Sequence, residues 1–430
     1  MQVDGILLLY HHYNLKNAST IMEHVNAFGR HSRFKVWSVN TELGFPKHLG
    51  NLRFSIIVLH YSLCGIPPYH LDERFLEYLD NSKDSYKISF FQDEYHHCRR
   101  RFKFLDDHQV DHVFTLVEPA YFKDVYGAHT SVPNLSYTLT GYVSDDLPDI
   151  SRRFAKPDGD RRLDIGYRGR RLPYHLGRGG QEKHEIGVRF LERAKDAGLV
   201  MDIATDEASR MYGDTWCSFM SDCRGMLGVE AGVTIFDLDD EARKSSEKLL
   251  AASPGIPFEE VWQQALHAWE GNIPYRTISP RHFEAAAFRS CQILFEGNYS
   301  GILQPMIHYL PLKKDFSNFD EIIRLFRDRR VRQEITDNAY RDLIASGRYT
   351  YAGFIADFDG ILLKKGMTPE IGRADAAAAD ALLNRDRRRR EALGKILSLR
   401  HHDFPGKKVI GFLTRGIRTR LGWRKTVQDI

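Results

Sequence analysis

A glycine-rich, basic segment at residues 167–187 is the clearest candidate for ligand binding in this sequence. It reads YRGRRLPYHLGRGGQEKHEIG and joins a short apolar stretch to a pattern typical of a helix. Glycine lets a backbone approach a ligand closely, and Arg170 and Lys183 carry the charge to neutralise a diphosphate. A helix beginning near Lys183 would add the partial positive charge of its N-terminus. The alternative is a solvated basic loop.

A second candidate lies at residues 275–322, where a Ser-Pro step opens a predicted helix that carries Arg281 and Glu284. Residues three apart share one face of a helix, so both side chains can reach the same ligand. The alternative is a surface ion pair, which contributes little to stability.

Polar residues also follow three predicted strands in the first half of the chain. His12 follows the first of these strands, His60 ends another, and Asp93 and Glu94 follow a third. The predicted strands span 5–10, 34–39, 55–60, 86–92 and 110–116, with helices at 18–28 and 72–81. Short apolar strands that alternate with helices indicate a parallel sheet covered on both faces, and such sheets bind ligands beyond the carboxyl ends of their strands.

The second half repeats this α/β pattern, so we predict two α/β domains with parallel sheets. Further strands are predicted at 163–167, 200–204 and 291–295, with a strand or loop at 228–236. Helices are predicted at 183–197, 257–269, 281–288, 319–329, 331–346 and 351–363. The predicted organisation is an N-terminal domain at 1–150, a linker at 151–162, a C-terminal domain at 163–347, a closing helix at 348–366 and a basic tail at 367–430.

Composition limits the class of protein. The 430 residues are 42% hydrophobic and 12% aromatic, which is enough to bury sizeable cores and excludes a wholly disordered chain. No apolar run approaches the roughly 20 residues of a membrane-spanning helix, and the N-terminal residues lack the basic region of a secretory signal. Five cysteines without a C-x-x-C pair argue against a disulfide framework or a thiolate zinc site. We therefore expect a cytoplasmic protein.

The charge is distributed unevenly. Residues 383–430 contain fourteen Lys or Arg and four Asp or Glu, a net charge of 14 − 4 = +10, so the other residues carry 4 − 10 = −6. Within 407–424, apolar residues at three- and four-residue spacing share one face between basic residues, and Trp423 lies at its end. This pattern is typical of a helix in a lipid interface, which predicts peripheral attachment to an anionic membrane. The alternative is a helix that packs on the protein's own first domain.

Two acidic motifs have misleading likenesses. FDLDDE, which contains Asp237 and Asp239, has the Asp-x-Asp spacing of metal-dependent transferases, but a solvated acidic loop is favoured. DFDGIL at 357–362 resembles the nucleophile motif of dehalogenase-type phosphatases, yet too little chain follows it to build their domain. Adjacent histidine pairs point in different directions and rarely chelate one ion. We predict no metal site.

The segment SPRHFEAAAFRSCQILFEG and the YSGILQPMIHYLPLKKDFSNFDEI that follows it resemble the C-terminal domain of group 1 glycosyltransferases, more narrowly the spore-protein CgeB-like branch. The resemblance is specific over about 163–344 and weak before it. It implies a GT-B fold, in which two Rossmann-like domains face each other and the second binds a nucleotide sugar.

The resemblance also implies roles for individual residues. The Glu of the F-E-A helix holds the ribose hydroxyls in related families, which implies that role for Glu284. The basic pair after the first strand of the second domain cradles the diphosphate, which implies that role for Arg170 and Lys183. The loop after the following strand borders the phosphates and here contains Tyr299, Ser300 and Gly301.

One position departs from the family pattern. Many retaining relatives carry a Glu eight residues before the second Glu, where this chain has Arg276. Glu230, in a stretch that resembles one seen in the CgeB-like branch, is a candidate substitute for the missing carboxylate.

The predicted reaction is transfer of a sugar from a nucleotide diphosphate to a hydroxyl of a glycan or lipid-linked acceptor, in surface glycan or polysaccharide synthesis. Cations and a helix dipole would stabilise the leaving diphosphate, so neither metal nor cofactor is expected. An inverting enzyme needs a general base, for which Asp93 is the first choice, followed by Glu94, His12 and His60. A helix cap or a solvated turn is the alternative for Asp93 and Glu94.

Three alternatives stay open. The chain could be a catalytically silent protein of this fold, an epimerase-type GT-B enzyme, or a nucleic-acid-binding protein that uses the basic runs 99–101 and 387–390. The last would bind with an affinity that falls steeply with salt.

Overall fold

The structure is a computed structural model that describes residues 1–12, 20–65, 69–385, 390 and 392. These residues form two compact units. Unit 1 contains Met1–Thr115, Phe122–Tyr137 and the described residues from Ile355 onward. Unit 2 contains Leu116–Tyr121 and Thr138–Phe354. Residues 151–162, predicted as a linker, are therefore part of unit 2.

Unit 1 is built on a six-stranded parallel sheet in the order β2-β1-β3-β4-β5-β6. The strands are β1 (Gln2–Tyr10), β2 (Val36–Asn40), β3 (Arg53–Leu59), β4 (Tyr86–Phe90), β5 (His112–Thr115) and β6 (Asn134–Tyr137). The first three helices are α1 (Thr20–His31), α2 (Glu73–Asp80) and α3 (Cys98–Asp107). The apolar run from Ile6 to Leu9 is fully buried, as a central strand covered on both faces requires.

Unit 2 is built on a five-stranded parallel sheet in the order β13-β12-β9-β7-β8, with a separate antiparallel pair of β10 and β11. The strands are β7 (Leu163–Arg168), β8 (Met201–Ala204), β9 (Cys223–Gly228), β10 (Ala231–Val233), β11 (Tyr275–Thr277), β12 (Cys291–Phe295) and β13 (Leu310–Leu312). The helices are α4 (Leu147–Arg153), α5 (Gly177–Arg193), α6 (Gly213–Asp222), α7 (Glu241–Ala252), α8 (Phe258–Val261), α9 (Pro280–Ala287), α10 (Phe319–Arg327) and α11 (Arg329–Ala339). The predicted α/β class with two parallel sheets is confirmed.

Two helices complete the chain that the structure describes, α12 (Tyr351–Lys364) and α13 (Arg373–Asn384). The DFDGIL motif lies within α12, whereas a phosphatase nucleophile needs a strand before it. The buried Asp359 carboxylate accepts hydrogen bonds from the Ser32 hydroxyl at 2.8 Å and the Arg33 amide at 2.6 Å. Asp359 thus anchors α12 to the end of α1.

Each sheet has one topological switch point. In unit 2 the chain leaves β7 for its neighbour β8 and then returns to the other side of β7 to form β9. In unit 1 the equivalent point lies between β1 and β3. Open parallel sheets bind ligands beyond the carboxyl ends of the strands that flank such a point. A ligand site in unit 2 is therefore expected at the loops that follow β7 and β9.

Strand β9 was absent from the sequence prediction although it is central to its sheet. It reads CRGMLG, in which two glycines and an arginine hide the strand pattern. A Cβ atom on Gly225 would lie 2.6 Å from the Phe326 ring of α10, so close packing of that helix demands glycine here.

Among the residues that the structure describes, no helix combines the length and apolar character needed to cross a membrane. The basic helix predicted for 407–424 lies outside the described residues.

Candidate functional site

The loop after β7 is held close to α5 by a glycine. A Cβ atom on Gly169 would lie 2.5 Å from the Lys183 carbonyl oxygen and 2.7 Å from the Tyr167 ring, so no larger residue fits. The Tyr167 hydroxyl also donates to the Lys183 carbonyl at 2.8 Å. These contacts place Lys183 beside the carboxyl end of β7.

Helix α5 begins at Gly177, so the prediction that it begins near Lys183 is wrong. Its first amides already have partners within the protein. The Arg178 amide donates to Glu270 at 3.1 Å, and the Gly179 amide donates to the Thr234 hydroxyl at 2.9 Å. Because a carboxylate already lies at this N-terminus, the diphosphate contact expected from the start of α5 is not supported.

Four arginines lie in the segment 168–178, and three of them pair within unit 2. The pairs are Arg168 with Asp202 at 2.8 Å, Arg171 with His184 at 2.8 Å, and Arg178 with Glu259 at 2.7 Å. Arg170 is exposed and forms no hydrogen bond or ion pair with the described part of the chain. The arginine that the sequence singled out is thus the one whose charge is left for a ligand.

Two further predicted cations, Arg281 and Lys183, influence the charge of His282, which lies in the first turn of α9. The pKa of His282 is lowered to about 3, mainly by burial, and the positive charges of Arg281 and Lys183 contribute to this lowering. The Arg281 guanidinium donates a hydrogen bond to the carbonyl of Arg168, the last residue of β7. The end of β7, the start of α9 and the second turn of α5 therefore gather positive charge in one place.

Glu284 follows one turn after Arg281 on α9 and is half-buried. Its Oε2 accepts a hydrogen bond from the Trp216 indole nitrogen at 2.9 Å, while Oε1 accepts none from the described residues. Burial raises the pKa of Glu284, and the Trp216 hydrogen bond and the Arg281 charge partly offset that rise. The two side chains do not form the alternative surface ion pair, because Arg281 instead lies over the Trp216 ring at 5.2 Å.

Glu230 follows β9 and is buried with both oxygens engaged. Its Oε1 accepts from the amides of Asn298 and Tyr299 at 3.1 and 2.8 Å, and its Oε2 lies 3.3 Å from the Arg276 guanidinium. Arg276 also pairs with the buried Glu182. Glu230 therefore holds the loop after β12 in place, and no carboxylate oxygen is left over for a donor sugar.

The loop after β12 turns through three successive residues with positive φ, Tyr299, Ser300 and Gly301. The Tyr299 ring lies in the core, and its hydroxyl donates to the Phe295 carbonyl at 2.6 Å. The Ser300 hydroxyl accepts from the Ile278 amide at 3.2 Å. Gly301 is exposed, and a Cβ added to it would meet no neighbouring atom. Of the three predicted phosphate neighbours, Gly301 is the most accessible.

In unit 1 the predicted base His60 is fully buried. Its Nδ1 accepts from the Ser62 amide at 3.0 Å, so the proton of the neutral ring lies on Nε2, which is 3.0 Å from Nδ1 of His24. Burial holds the pKa of His60 well below its usual range, with the neighbouring His24 adding to the shift. This histidine caps a turn and supports the packing.

Glu94 is also buried and has partners at both oxygens. Oε1 accepts from the Thr115 hydroxyl, and Oε2 accepts from the Tyr126 hydroxyl at 2.9 Å. A base that accepts a substrate proton must reach the substrate, and this carboxylate lies inside unit 1. The geometry gives Glu94 a structural part.

Asp93 and His12 are the accessible candidates. Asp93 is exposed and has φ of 51°, a left-handed conformation that an aspartate adopts at some cost. Its Oδ1 accepts from the Tyr95 hydroxyl at 2.8 Å, and its carbonyl accepts from Arg101 at 2.9 Å. His12 is half-buried, which lowers its pKa, and its backbone pairs with the Asn40 side chain.

Asp237 is a buried helix cap rather than a residue of a solvated loop. Its two oxygens accept from the amides of Glu241 and Arg243, both at 2.9 Å, at the start of α7. In the described ranges, no three side chains of the His, Cys, Asp or Glu type are placed to hold a metal ion.

The two basic runs proposed for nucleic-acid binding are partly engaged within unit 1. Arg101 is buried, and Arg390 donates to the carbonyls of Asn40 and Gly44, each at 3.0 Å. Residues 387–389 lie outside the described part of the chain.

Sequence reasoning missed Trp216, Glu182 and Lys314. Trp216 contacts Glu284, and Lys314 lies 2.7 Å from Glu182 in the pair that also engages Arg276. The sequence held one signal for Glu182: Arg276 stands where the resemblance leads us to expect a glutamate. A buried arginine at such a position requires acidic partners. No pattern in the sequence links Trp216 to Glu284.

No protein-family model matches the sequence, and no curated protein sequence matches it. Several solved structures are similar to this chain, with low identity and low TM-scores. An α-glucosyltransferase in complex with UDP-glucose and DNA containing an abasic site has 12% identity and a TM-score of 0.48, with 85% of this chain and 100% of that chain covered.

Two further matches are of the same kind. The Anabaena protein HepE in complex with UDP and glucose has 10% identity and a TM-score of 0.45, covering 85% of this chain and 100% of its own. TarM has 10% identity and a TM-score of 0.38, covering 73% of this chain and 55% of its own, so this chain spans about half of TarM. Similarity with these identities and TM-scores does not show the function of this chain.

Proposed function

We propose that this chain is a glycosyltransferase of the GT-B type, which moves a sugar from a nucleoside diphosphate to a hydroxyl acceptor. Unit 2 would bind the nucleotide sugar beyond the carboxyl ends of β7 and β9. Glu284 would accept the ribose hydroxyls, and Arg170, Lys183 and Arg281 would contact the diphosphate. The finer assignment to the CgeB-like branch rests on the sequence resemblance alone.

The observation that carries this proposal is the combination of groups at the switch point of unit 2. The half-buried Glu284 carboxylate, with one oxygen that accepts no hydrogen bond from the described residues, lies one helical turn from Arg281, which contacts the end of β7. The positive charges of Lys183 and Arg281 both lower the pKa of His282, and Arg170 is exposed nearby in sequence. A nucleoside diphosphate presents hydroxyls and phosphates, which need these two kinds of partner in one place.

Calorimetric titration of the full chain with the four common ribonucleoside diphosphates tests the proposal. At least one should bind, and Glu284→Ala should weaken that binding by about 2 kcal/mol, or roughly 30-fold, because hydrogen bonds to charged groups are worth about 1.5–3 kcal/mol. Unchanged affinity in a folded Glu284→Ala protein would rule out the ribose role.

Asp93 is the proposed general base if the transfer inverts the anomeric centre. It is the exposed carboxylate among the four candidates of unit 1, and the Tyr95 hydroxyl fixes the direction of one oxygen. Asp93→Asn should abolish transfer while nucleotide binding stays unchanged. Full activity of that variant would point instead to retention or to another base.

The transfer is proposed to need no metal, because cations can stabilise the leaving diphosphate. Activity should survive excess EDTA. Loss of activity that Mn²⁺ or Mg²⁺ restores would contradict this proposal and would favour a metal-binding role for Asp237 and Asp239.

We propose that the acceptor is a glycan or a lipid-linked glycan and that the tail attaches the protein to the inner membrane face. The support is the sequence pattern of 407–424, with basic residues beside an apolar stripe. The full chain should float with anionic liposomes at low salt, and a chain truncated after Gly366 should not. Equal flotation of both proteins, or of neither, would contradict the attachment.

A further inference from the structure

Trp216 has an arrangement that neither a plain packing role nor the sequence resemblance explains. It lies on α6, half-buried, with its ring stacked on Phe219 at a centroid distance of 5.7 Å. Its indole nitrogen donates to Oε2 of Glu284, which is distant in sequence. The ring thus packs against the core while its polar edge contacts the carboxylate proposed to bind ribose.

This contact limits what Glu284 offers to a ligand. An ionised carboxylate usually presents two oxygens to a pair of neighbouring hydroxyls. Here one oxygen accepts from the indole, and the other accepts no hydrogen bond from the residues that the structure describes. The hydrogen bond also restricts the rotation of the carboxylate, which limits the directions in which Oε1 can point.

Resting on the proposed function, we propose that Trp216 is a positioning residue that aims Oε1 of Glu284 at one ribose hydroxyl. Discrimination between ribose and 2′-deoxyribose nucleotides then depends on the indole N–H. Arg281 supports the same geometry, since its guanidinium lies over the Trp216 ring and donates to the carbonyl at the end of β7.

The chain provides a matched control. The indole nitrogen of Trp262 donates to Glu270 at 2.9 Å, the same distance as in the Trp216–Glu284 pair. Glu270 caps α5 through the Arg178 amide and is not part of the proposed ribose contact. Trp216→Phe and Trp262→Phe therefore each remove one indole N–H that donates to a glutamate, and both retain an aromatic ring.

The test is calorimetric titration of the full chain with UDP, GDP, ADP and CDP and with their 2′-deoxy counterparts. The wild-type protein should bind its preferred ribonucleotide at least about tenfold more tightly than the deoxy form, because a hydrogen bond to a charged group is lost. In Trp216→Phe this ratio should fall below about threefold, whereas Trp262→Phe should retain it.

Each outcome decides. An unchanged ratio in Trp216→Phe, or an equal fall in Trp262→Phe, would overturn the positioning role while the proposed function stands. If no nucleotide binds to the wild-type protein, the proposed function fails and this inference fails with it. If Trp216→Phe does not fold, Trp216→Leu replaces it: leucine also lacks the indole N–H that donates to Glu284, so a retained ratio in that variant would overturn the proposal.

Discussion

The carboxyl edges of the two sheets carry similar residue types. They differ in how many of the hydrogen-bonding atoms of those residues have partners within the protein. In unit 1, His60 pairs with His24, and both oxygens of Glu94 accept from hydroxyls of the same unit. In unit 2, Glu284 retains an unpartnered oxygen and Arg170 is exposed without a partner among the described residues. Polar residues at the end of a strand therefore mark a site only when the protein leaves part of their bonding capacity unused.

Two glutamates of unit 2 differ in the same way, in how many partners their carboxylates have. Glu230 and Glu284 both lie at the carboxyl edge, yet Glu230 accepts two backbone amides and contacts Arg276. Arg276 occupies the position where the sequence resemblance leads us to expect a carboxylate, and its charge is neutralised by Glu230 and Glu182. Arg276 is thus part of a buried ion network whose Glu230 also holds the loop after β12.

The largest expected difference between the units is acid sensitivity. Unit 1 buries four histidines whose pKa values lie far below the ordinary value of about 6.5. Burial lowers the pKa to about 3 for His11 and His24 and to about 4 for His112, and holds it well below 6.5 for His60. In unit 2, His282 has a comparable shift, to about 3.

A histidine with a lowered folded pKa binds fewer protons in the native state than in the unfolded state. Its contribution to stability is therefore complete above about pH 6.5 and is lost as the pH falls below that value. At pH 5, His24 alone should cost about 2 kcal/mol relative to pH 7.5. Hydrogen exchange at the two pH values should show greater loss of protection in β1 and β3 than in β9 and β12. Equal losses in both units would contradict the comparison.

The next effect concerns the two carboxylates. Glu94→Ala should destabilise the protein by about 3 kcal/mol, because it leaves the hydroxyls of Thr115 and Tyr126 without their acceptor in the core. Glu284→Ala should cost about 1 kcal/mol, the value of one hydrogen bond to a half-buried group. Urea unfolding measures both changes. Equal costs would mean that Glu284 is as structural as Glu94.

The sequence predicted elements well where the apolar pattern is continuous. Strand β12 reads CQILF and was predicted with its observed bounds. The start of α5 was misplaced because GRGGQ lacks helix-forming residues, and its first turn is stabilised by Thr234 and Glu270 from a distant segment. Local propensity carries no information about such tertiary partners.

The same limit applies to the candidate site. The three-residue spacing predicted Arg281 and Glu284 on one helix face; in the structure Arg281 reaches the end of β7, and Glu284 contacts Trp216 of α6. The spacing did not reveal that Glu94 would be enclosed by Thr115 and Tyr126, because those partners come from separate parts of unit 1. Residue type identified the candidates, and only the three-dimensional contacts separated structural residues from accessible ones.

The smallest effect sharpens the comparison most, because it uses two adjacent arginines of one loop. Arg171 pairs with His184, whereas Arg170 has no partner in the described chain. Arg170→Ala should lower release of nucleoside diphosphate from a nucleotide sugar about tenfold, equivalent to about 1.4 kcal/mol of stabilisation of the leaving group, with an unchanged melting temperature. Arg171→Ala should leave that rate unchanged. If Arg171→Ala slows the reaction as much as Arg170→Ala, general positive charge in the loop is sufficient, and unused bonding capacity does not identify the functional residue.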